Sequence, residues 1–127
     1  MLAAFLLPET VIREDGSGPE LDLGSARGRL LVVTMGITRI LEQQSLDMSV
    51  WGSADNVNWG EKPLASFPQK FYGGSYQVLV DLTERPEVQY LRAAWKVNRW
   101  GYSPQKPLFG LYLFVEESAA RALARSA

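Results

Sequence analysis

Oxygen-bearing side chains crowd residues 50–63, VWGSADNVNWGEKP, in a pattern that raises the question of a calcium loop. A calcium loop between two helices takes oxygen ligands at positions one, three and five, glycine at six and glutamate at twelve. Counted from Asp55, the third position is Val57, the fifth is Trp59 and the twelfth is Ser66. Only the first position and the glycine match, so the spacing disfavours a metal site.

The same segment is better interpreted as a turn that leaves a strand. Ser53, Asp55 and Asn58 are residue types whose side chains hydrogen-bond nearby backbone groups, and asparagine tolerates positive φ. Trp59 follows them, and we expect it to fold back over one end of a core. We therefore predict a structural turn formed by Ser53, Asp55, Asn58 and Trp59.

Catalytic and metal chemistry is narrowed by composition. The chain contains no histidine and no cysteine, which removes the usual general base near neutral pH, the serine-histidine triad and thiolate chemistry. Nothing in the sequence brings two carboxylates together for acid and base catalysis. The segment YGGS at residues 72–75 lacks the lysine and spacing of a phosphate loop. We predict no catalytic residue, no metal ligand and no cofactor.

A second cluster, KVNRWGYSPQK at residues 96–106, combines cations with aromatic rings. Such a combination can anchor a protein partner or stack on sugars or bases. It can equally consist of a tryptophan that covers the core and lysines that aid solubility. The candidate binding surface comprises Tyr90, Arg92, Lys96, Arg99, Trp100 and Tyr102.

The elements that must position these residues are predicted to be β-strands. Four segments alternate between apolar and polar residues, which is typical of half-buried strands. Their inward positions are predicted to be Leu31, Val33, Met35 and Ile37; Leu46, Met48 and Val50; Tyr76, Val78, Val80 and Leu82; and Leu91, Ala93, Trp95 and Val97. A fifth segment, PLFGLYLFVEE, is apolar on both faces, which predicts a central strand.

Strands at this spacing, joined by turn residues, predict an all-β fold, an antiparallel β-sandwich. The 127 residues suit one domain, 1–127. Residues 1–12 are predicted to be an N-terminal strand or arm, which we expect Pro8 to break. Residues 117–126 contain strong helix formers and are predicted to be a short C-terminal helix.

Charge and hydropathy restrict the partners. The formal net charge of −1 disfavours nucleic-acid binding. The apolar start has no basic residue before it and is too short to cross a bilayer, so we expect no signal peptide, no membrane partner and a cytoplasmic or particle-associated protein. Protein partners or self-association, and carbohydrate, remain open.

Two segments carry a resemblance to known families. VWGSADNVNWG resembles the strand and turn of discoidin-type, galactose-binding-like sandwiches, and VQYLRAAWKVNRWG resembles their Arg-Tyr-Leu-Arg strand, with Gln89 in place of the first arginine. The order and spacing are also similar to small β-sandwich proteins of tailed phages and prophages. The resemblance covers about residues 28–115 and implies a galactose-binding-like or jelly-roll-like sandwich.

Together these observations predict a non-enzymatic structural or interaction subunit. The phage-type resemblance implies a particle component that acts through protein-protein contacts, in multiple copies. The alternative is a carbohydrate-binding module that exposes aromatic rings, with Trp51, Trp59, Trp100 and Tyr102 as candidates. A weaker third hypothesis is an enzyme with a carboxylate pair.

Overall fold

The chain forms nine β-strands within residues 2–100 and 106–118, which the computed structural model describes. They are β1 (Ala3–Ile12), β2 (Gly16–Ser17), β3 (Leu21–Asp22), β4 (Leu30–Ile40), β5 (Gln44–Ser53), β6 (Ala65–Ser66), β7 (Gly74–Asp81), β8 (Tyr90–Arg99) and β9 (Phe109–Glu117). A 3₁₀ turn at Gly24–Ala26 is the only helical element among these residues.

The strands form two antiparallel sheets. The four-stranded sheet has the order β1-β9-β4-β7. The five-stranded sheet has the order β2-β8-β5-β6, with β3 also paired to β8. The predicted all-β antiparallel sandwich is therefore confirmed.

The core lies between the sheets and is made by the alternation seen in the sequence. Successive side chains of a strand point to opposite faces, so each strand contributes every second residue to the interior. The predicted inward residues are buried, or partly buried and packed against the core. The partly buried ones are Tyr76, Val78, Trp95 and Val97.

Strand β9 lies at the centre of the four-stranded sheet, between β1 and β4, as its two apolar faces predicted. Its inner side contributes Phe109, Leu111, Leu113 and Val115 to the core. Its outer side carries Tyr112 and Phe114, and both rings contact Phe5 of β1 in edge-on geometry.

Pro8 lies within β1 and does not end it. Strand β1 is an edge strand, where a missing N–H on the solvent side removes no ladder hydrogen bond. Its pairing with β9 shifts register on either side of Leu7, next to the proline. Leu6 and Leu7 are both buried, which strict alternation would not allow.

The helix predicted over residues 117–126 is wrong at its start. Glu117 is the last residue of β9 and pairs with Leu31 of β4. The N–H of Ser118 donates to the carbonyl of Leu30 at 2.9 Å, which extends the strand contacts by one residue. Tertiary pairing thus overrides the helix propensity of these two positions, and residues 119–126 lie outside the described part of the chain.

Candidate functional site

The structure divides the predicted binding surface between two places. Tyr90, Arg92 and Lys96 alternate along β8 and lie on the outer face of the five-stranded sheet. Arg99, an odd number of residues away, and Trp100 lie where β8 ends. Tyr102 is outside the described residues.

Trp100 belongs to an exposed cluster at one end of the sandwich. We call this cluster the aromatic end: Ile40, Phe71, Tyr72 and Trp100. The rings of Phe71 and Trp100 meet edge-on with centroids 6.1 Å apart, and Phe71 also contacts Tyr72 at 6.4 Å. Trp100 is 54% exposed and Tyr72 is 73% exposed, around a cavity of about 330 Å³.

The turn between β4 and β5 holds Trp100 in place. Gln43 has φ of 59°, a left-handed conformation that turns the chain from one sheet to the other. Its carbonyl accepts the backbone N–H of Trp100 at 3.0 Å. The Nε of Arg99 donates to the carbonyl of Glu42 at 3.3 Å, so Arg99 supports this turn.

A buried amide joins the two sheets beneath the same turn. Gln44 is 1% exposed, and its Nε2 donates to the carbonyl of Leu108 at 2.7 Å. The N–H of Leu108 donates back to Oε1 of Gln44 at 2.9 Å. Both polar groups of Leu108 are satisfied by one side chain, which fixes the start of β9 against the start of β5.

Phe71 is positioned by a short backbone bridge. Lys70 and Leu46 exchange both of their backbone hydrogen bonds, at 2.8 and 2.9 Å. The ammonium of Lys70 then lies 3.9 Å from the ring centroid of Tyr76, a cation-π contact. The residue that precedes Phe71 is thus held at backbone and side chain.

Arg92 stacks against Trp59 on the outer face of the five-stranded sheet. The guanidinium lies 4.3 Å from the centroid of the Trp59 ring, and its Nε is buried without a hydrogen-bond partner in the described part of the chain. We expected Trp59 to cover one end of the core, but its ring covers Arg92. A stacked guanidinium recovers cation-π attraction where hydrogen bonding is blocked.

A groove crosses the middle of this outer face. We call it the cross-sheet groove; its cavity is about 480 Å³, and its lining includes Asp47, Ser49, Trp51, Ser66, Ala94 and Lys96. Ser49 lies opposite Ala94 in the β5–β8 register, and both side chains are short. The floor is therefore low, and larger side chains rise on both sides of it.

The turn after β5 is held by its own side chains. The Asp55 Oδ1 accepts the backbone N–H groups of Val57 and Asn58, at 2.9 and 2.8 Å. The Ser53 hydroxyl donates to that oxygen at 3.0 Å and accepts the N–H groups of Asp55 and Asn56.

Positive φ falls at Asn56 and Gly60 of this turn, whereas Asn58 contributes its side chain. The Oδ1 of Asn58 accepts the N–H of Gly60 at 3.0 Å. The hydrogen bonds that the Asp55 carboxylate accepts lower its pKa, and the backbone N–H of Asn58 is the largest cause, followed by the backbone N–H of Val57. The oxygen lone pairs that suggested a metal site thus accept backbone amides.

Two other carboxyls have a lowered pKa, each beside a cation. Lys106 hydrogen-bonds and attracts Glu14, which lowers the pKa of that carboxyl. The backbone N–H of Glu87 lowers the pKa of its own carboxyl, and Arg85 at 3.1 Å adds to the effect. All four side chains are more than half exposed, so these pairs contribute little to stability.

Sequence reasoning missed part of the aromatic end. Tyr72 enters the sequence analysis only as the first residue of the YGGS segment that was compared with phosphate loops, and Phe71 does not enter it at all. The signal that identifies them is a pair of adjacent aromatic residues in a polar loop, where no alternation gives either ring a core position.

Within residues 2–100 and 106–118, no three acidic side chains lie together in an arrangement that could hold a metal ion. The described residues also contain no helix that is long and apolar enough to cross a membrane.

Comparisons with known proteins give a fold and no family. No protein-family model matches the chain, and no curated protein matches it. A solved structure with the same fold is the SPBc2 prophage-derived protein YomS, with a TM-score of 0.50 and 12% sequence identity. That match covers 91% of this chain and 92% of YomS.

Two cleaved adhesin domains of Lys-gingipain from Porphyromonas gingivalis W83 are less similar. The K3 domain gives a TM-score of 0.47 at 16% identity, and the K1 domain gives 0.46 at 13%. They match 88% and 89% of this chain, which spans 66% of each adhesin structure. The resemblance to a prophage-type sandwich is thus confirmed for the fold.

Proposed function

We propose that this protein is a non-enzymatic interaction subunit that binds a protein surface through its aromatic end. The observation that carries the proposal is the exposure of four large apolar side chains at one end of a rigid sandwich. They come from three separate segments, and hydrogen bonds hold the backbone of each segment close by. A folded chain that holds such side chains in water has a surface suited to burial by a partner.

The residue types favour protein as the partner. Tryptophan and tyrosine are enriched among the residues that carry most of the binding energy at protein interfaces. Both lie in the aromatic end, and Glu42 and Gln43 at its cavity supply a polar rim. An aromatic centre with a polar rim is the usual anatomy of such interfaces.

The setting we propose is a phage- or prophage-like particle in which several copies of the chain assemble. The fold that the chain shares with the prophage-derived protein YomS supports this setting. The absence of histidine and cysteine from the sequence supports a role that does not depend on catalysis.

Light scattering over a wide concentration range tests the proposal with the full chain. We expect mass to rise with concentration, and Trp100→Ala to weaken association by at least tenfold in Kd, equal to about 1.4 kcal/mol. Phe71→Ala should act in the same direction, because the two rings are in contact.

Val57→Ala is the matched control, because Val57 is 82% exposed in the loop at the opposite end of β5. It should associate like the wild type. A chain that stays monomeric at every concentration, or an association that survives Trp100→Ala and Phe71→Ala together, would count against the aromatic end.

A further inference from the structure

The cross-sheet groove is a second surface with its own chemistry. None of the residues that line it lines the cavity at the aromatic end. Asp47 and Trp51 lie on β5, two residues either side of Ser49, and are about 13 Å apart along the strand. The low floor between them is long enough for an extended ligand that runs along β5 and β8, over Ser49 and Ala94.

Trp51 forms one end of the groove and its ring is fixed. The indole Nε1 donates to the hydroxyl of Ser49 at 2.9 Å, and that hydroxyl donates to the carbonyl of Ala94 at 3.2 Å. The polar atom of the indole is therefore satisfied within the protein. What remains for a ligand is the apolar ring surface of a half-buried tryptophan, already held in one orientation.

The other end of the groove offers an acceptor and a donor of opposite charge. Asp47 lies directly opposite Lys96 in the β5–β8 register, and both side chains are exposed. No direct ion pair joins them among the described residues. One carboxylate oxygen of Asp47 accepts Nε2 of Gln69 at 3.1 Å, which holds the side chain without neutralising it.

The third charge at the groove is Asp15, at its β2 side. Its carboxylate accepts the backbone N–H of Val97 at 2.8 Å and is thereby held in place. Two carboxylates and one ammonium disfavour a polyanion such as nucleic acid, because phosphate would meet more negative than positive charge. A neutral ligand with many hydroxyls can donate to the carboxylates and accept from the ammonium.

We infer that the cross-sheet groove binds a neutral oligosaccharide. A sugar ring presents its C–H face to the Trp51 ring, and its neighbours along the glycan direct hydroxyls to Asp47 and Lys96. Ser66 lines the groove on the β6 side and adds a further hydroxyl. This site is independent of the aromatic end, so either proposal can fail without the other.

The experiment begins with an array of neutral glycans, with sialylated and sulfated glycans on the same array for comparison. The strongest neutral ligand is then titrated calorimetrically against the full chain and its variants. We expect Trp51→Ala to weaken binding at least tenfold, and Lys96→Met and Asp47→Asn to weaken it severalfold each. Trp51→Phe keeps a ring at this position and should retain more affinity than Trp51→Ala.

Val57→Ala is the control, because Val57 is exposed and lines neither the groove nor the cavity at the aromatic end; this variant should bind glycan as the wild type does. Thermal unfolding of each variant shows whether it is folded. Because Lys96 is exposed, Lys96→Met should fold and still tests the groove if Trp51→Ala does not fold. Three results overturn the inference: no neutral glycan bound at millimolar concentration, binding confined to anionic glycans, or neutral-glycan binding that Trp51→Ala and Lys96→Met leave unchanged.

Discussion

At the scale of single residues, the contribution of a hydrogen-bonding side chain to stability depends on whether the bond is buried or exposed to water. Gln44 and Asp55 both hold two backbone groups, but Gln44 is buried and Asp55 lies in an exposed loop. Removing a partner from a buried backbone group costs the full desolvation of that group, whereas water replaces a lost partner in the loop. The two residues should therefore respond to substitution and to pH in different ways.

Gln44→Met keeps the length of the side chain and removes both of its hydrogen bonds. We expect a loss of about 2–4 kcal/mol in the free energy of unfolding, because the N–H and the carbonyl of Leu108 lose their partners. Gln77→Met is the control: the Gln77 side chain is exposed and donates to the Thr34 hydroxyl, which water can replace, so the loss should stay within about 0.5 kcal/mol. If urea denaturation gave equal losses for Gln44→Met and Gln77→Met, the two buried hydrogen bonds of Gln44 would add no more stability than an exposed one.

Asp55→Asn tests the turn through pH. Because the folded protein lowers the pKa of Asp55, its carboxylate adds stability above the ordinary value of 3.8, and that stability is lost as the pH falls through the lower folded value. The wild type should therefore be more stable than Asp55→Asn near neutral pH, with the difference closing in acid. Glu61→Gln, in the same loop, is the control; a difference between wild type and Asp55→Asn that is constant with pH contradicts the explanation.

At the scale of elements, the alternation of apolar residues was enough to predict the strands that build the core. It identified the inward faces of β4, β5, β7 and β8, and the two apolar faces of β9 predicted its central place. The strands of two residues, β2, β3 and β6, give no such pattern, since they are set by their partners in the sheet. The helix prediction is wrong at Glu117 and Ser118 for the same reason, since pairing with β4 sets their conformation.

The candidate site was harder to predict, because it depends on register and on contacts between distant segments. The candidate residues are close in the sequence, but successive residues of a strand point to opposite faces. Arg99 is an odd number of residues from Arg92 and Lys96, so it does not share the face that carries them. The aromatic end forms only because a crossover between sheets brings Phe71 to Trp100, and no local pattern contains that contact.

Amide hydrogen exchange tests the ranking of the elements. We expect the slowest exchange in β9 and β4, which have a strand on both sides, and fast exchange in β2, β3 and β6, which are short edge pieces. Amides of β9 that exchange as fast as those of β2 would contradict the assigned strand order.

At the scale of the whole molecule, the fold separates a scaffold from two surfaces. The turn at residues 53–60 and the aromatic end lie at opposite ends of β5, roughly 30 Å apart, and the cross-sheet groove lies between them on the outer face. The residues that first suggested metal chemistry stabilise a turn, and the exposed aromatic rings lie elsewhere. The fold itself fixes no function, so the proposals rest on these surfaces.

The most direct test is an NMR dilution series of the indole N–H signals, because the chain has four tryptophans in four different environments. Trp51 and Trp95 donate within the protein, Trp59 stacks on Arg92, and Trp100 lies in the aromatic end. With each signal assigned by a Trp→Phe variant, we predict that the Trp100 signal shifts with concentration while those of Trp51, Trp59 and Trp95 stay in place. Four signals that do not move up to millimolar protein, or a shift confined to the other three, would contradict association through the aromatic end.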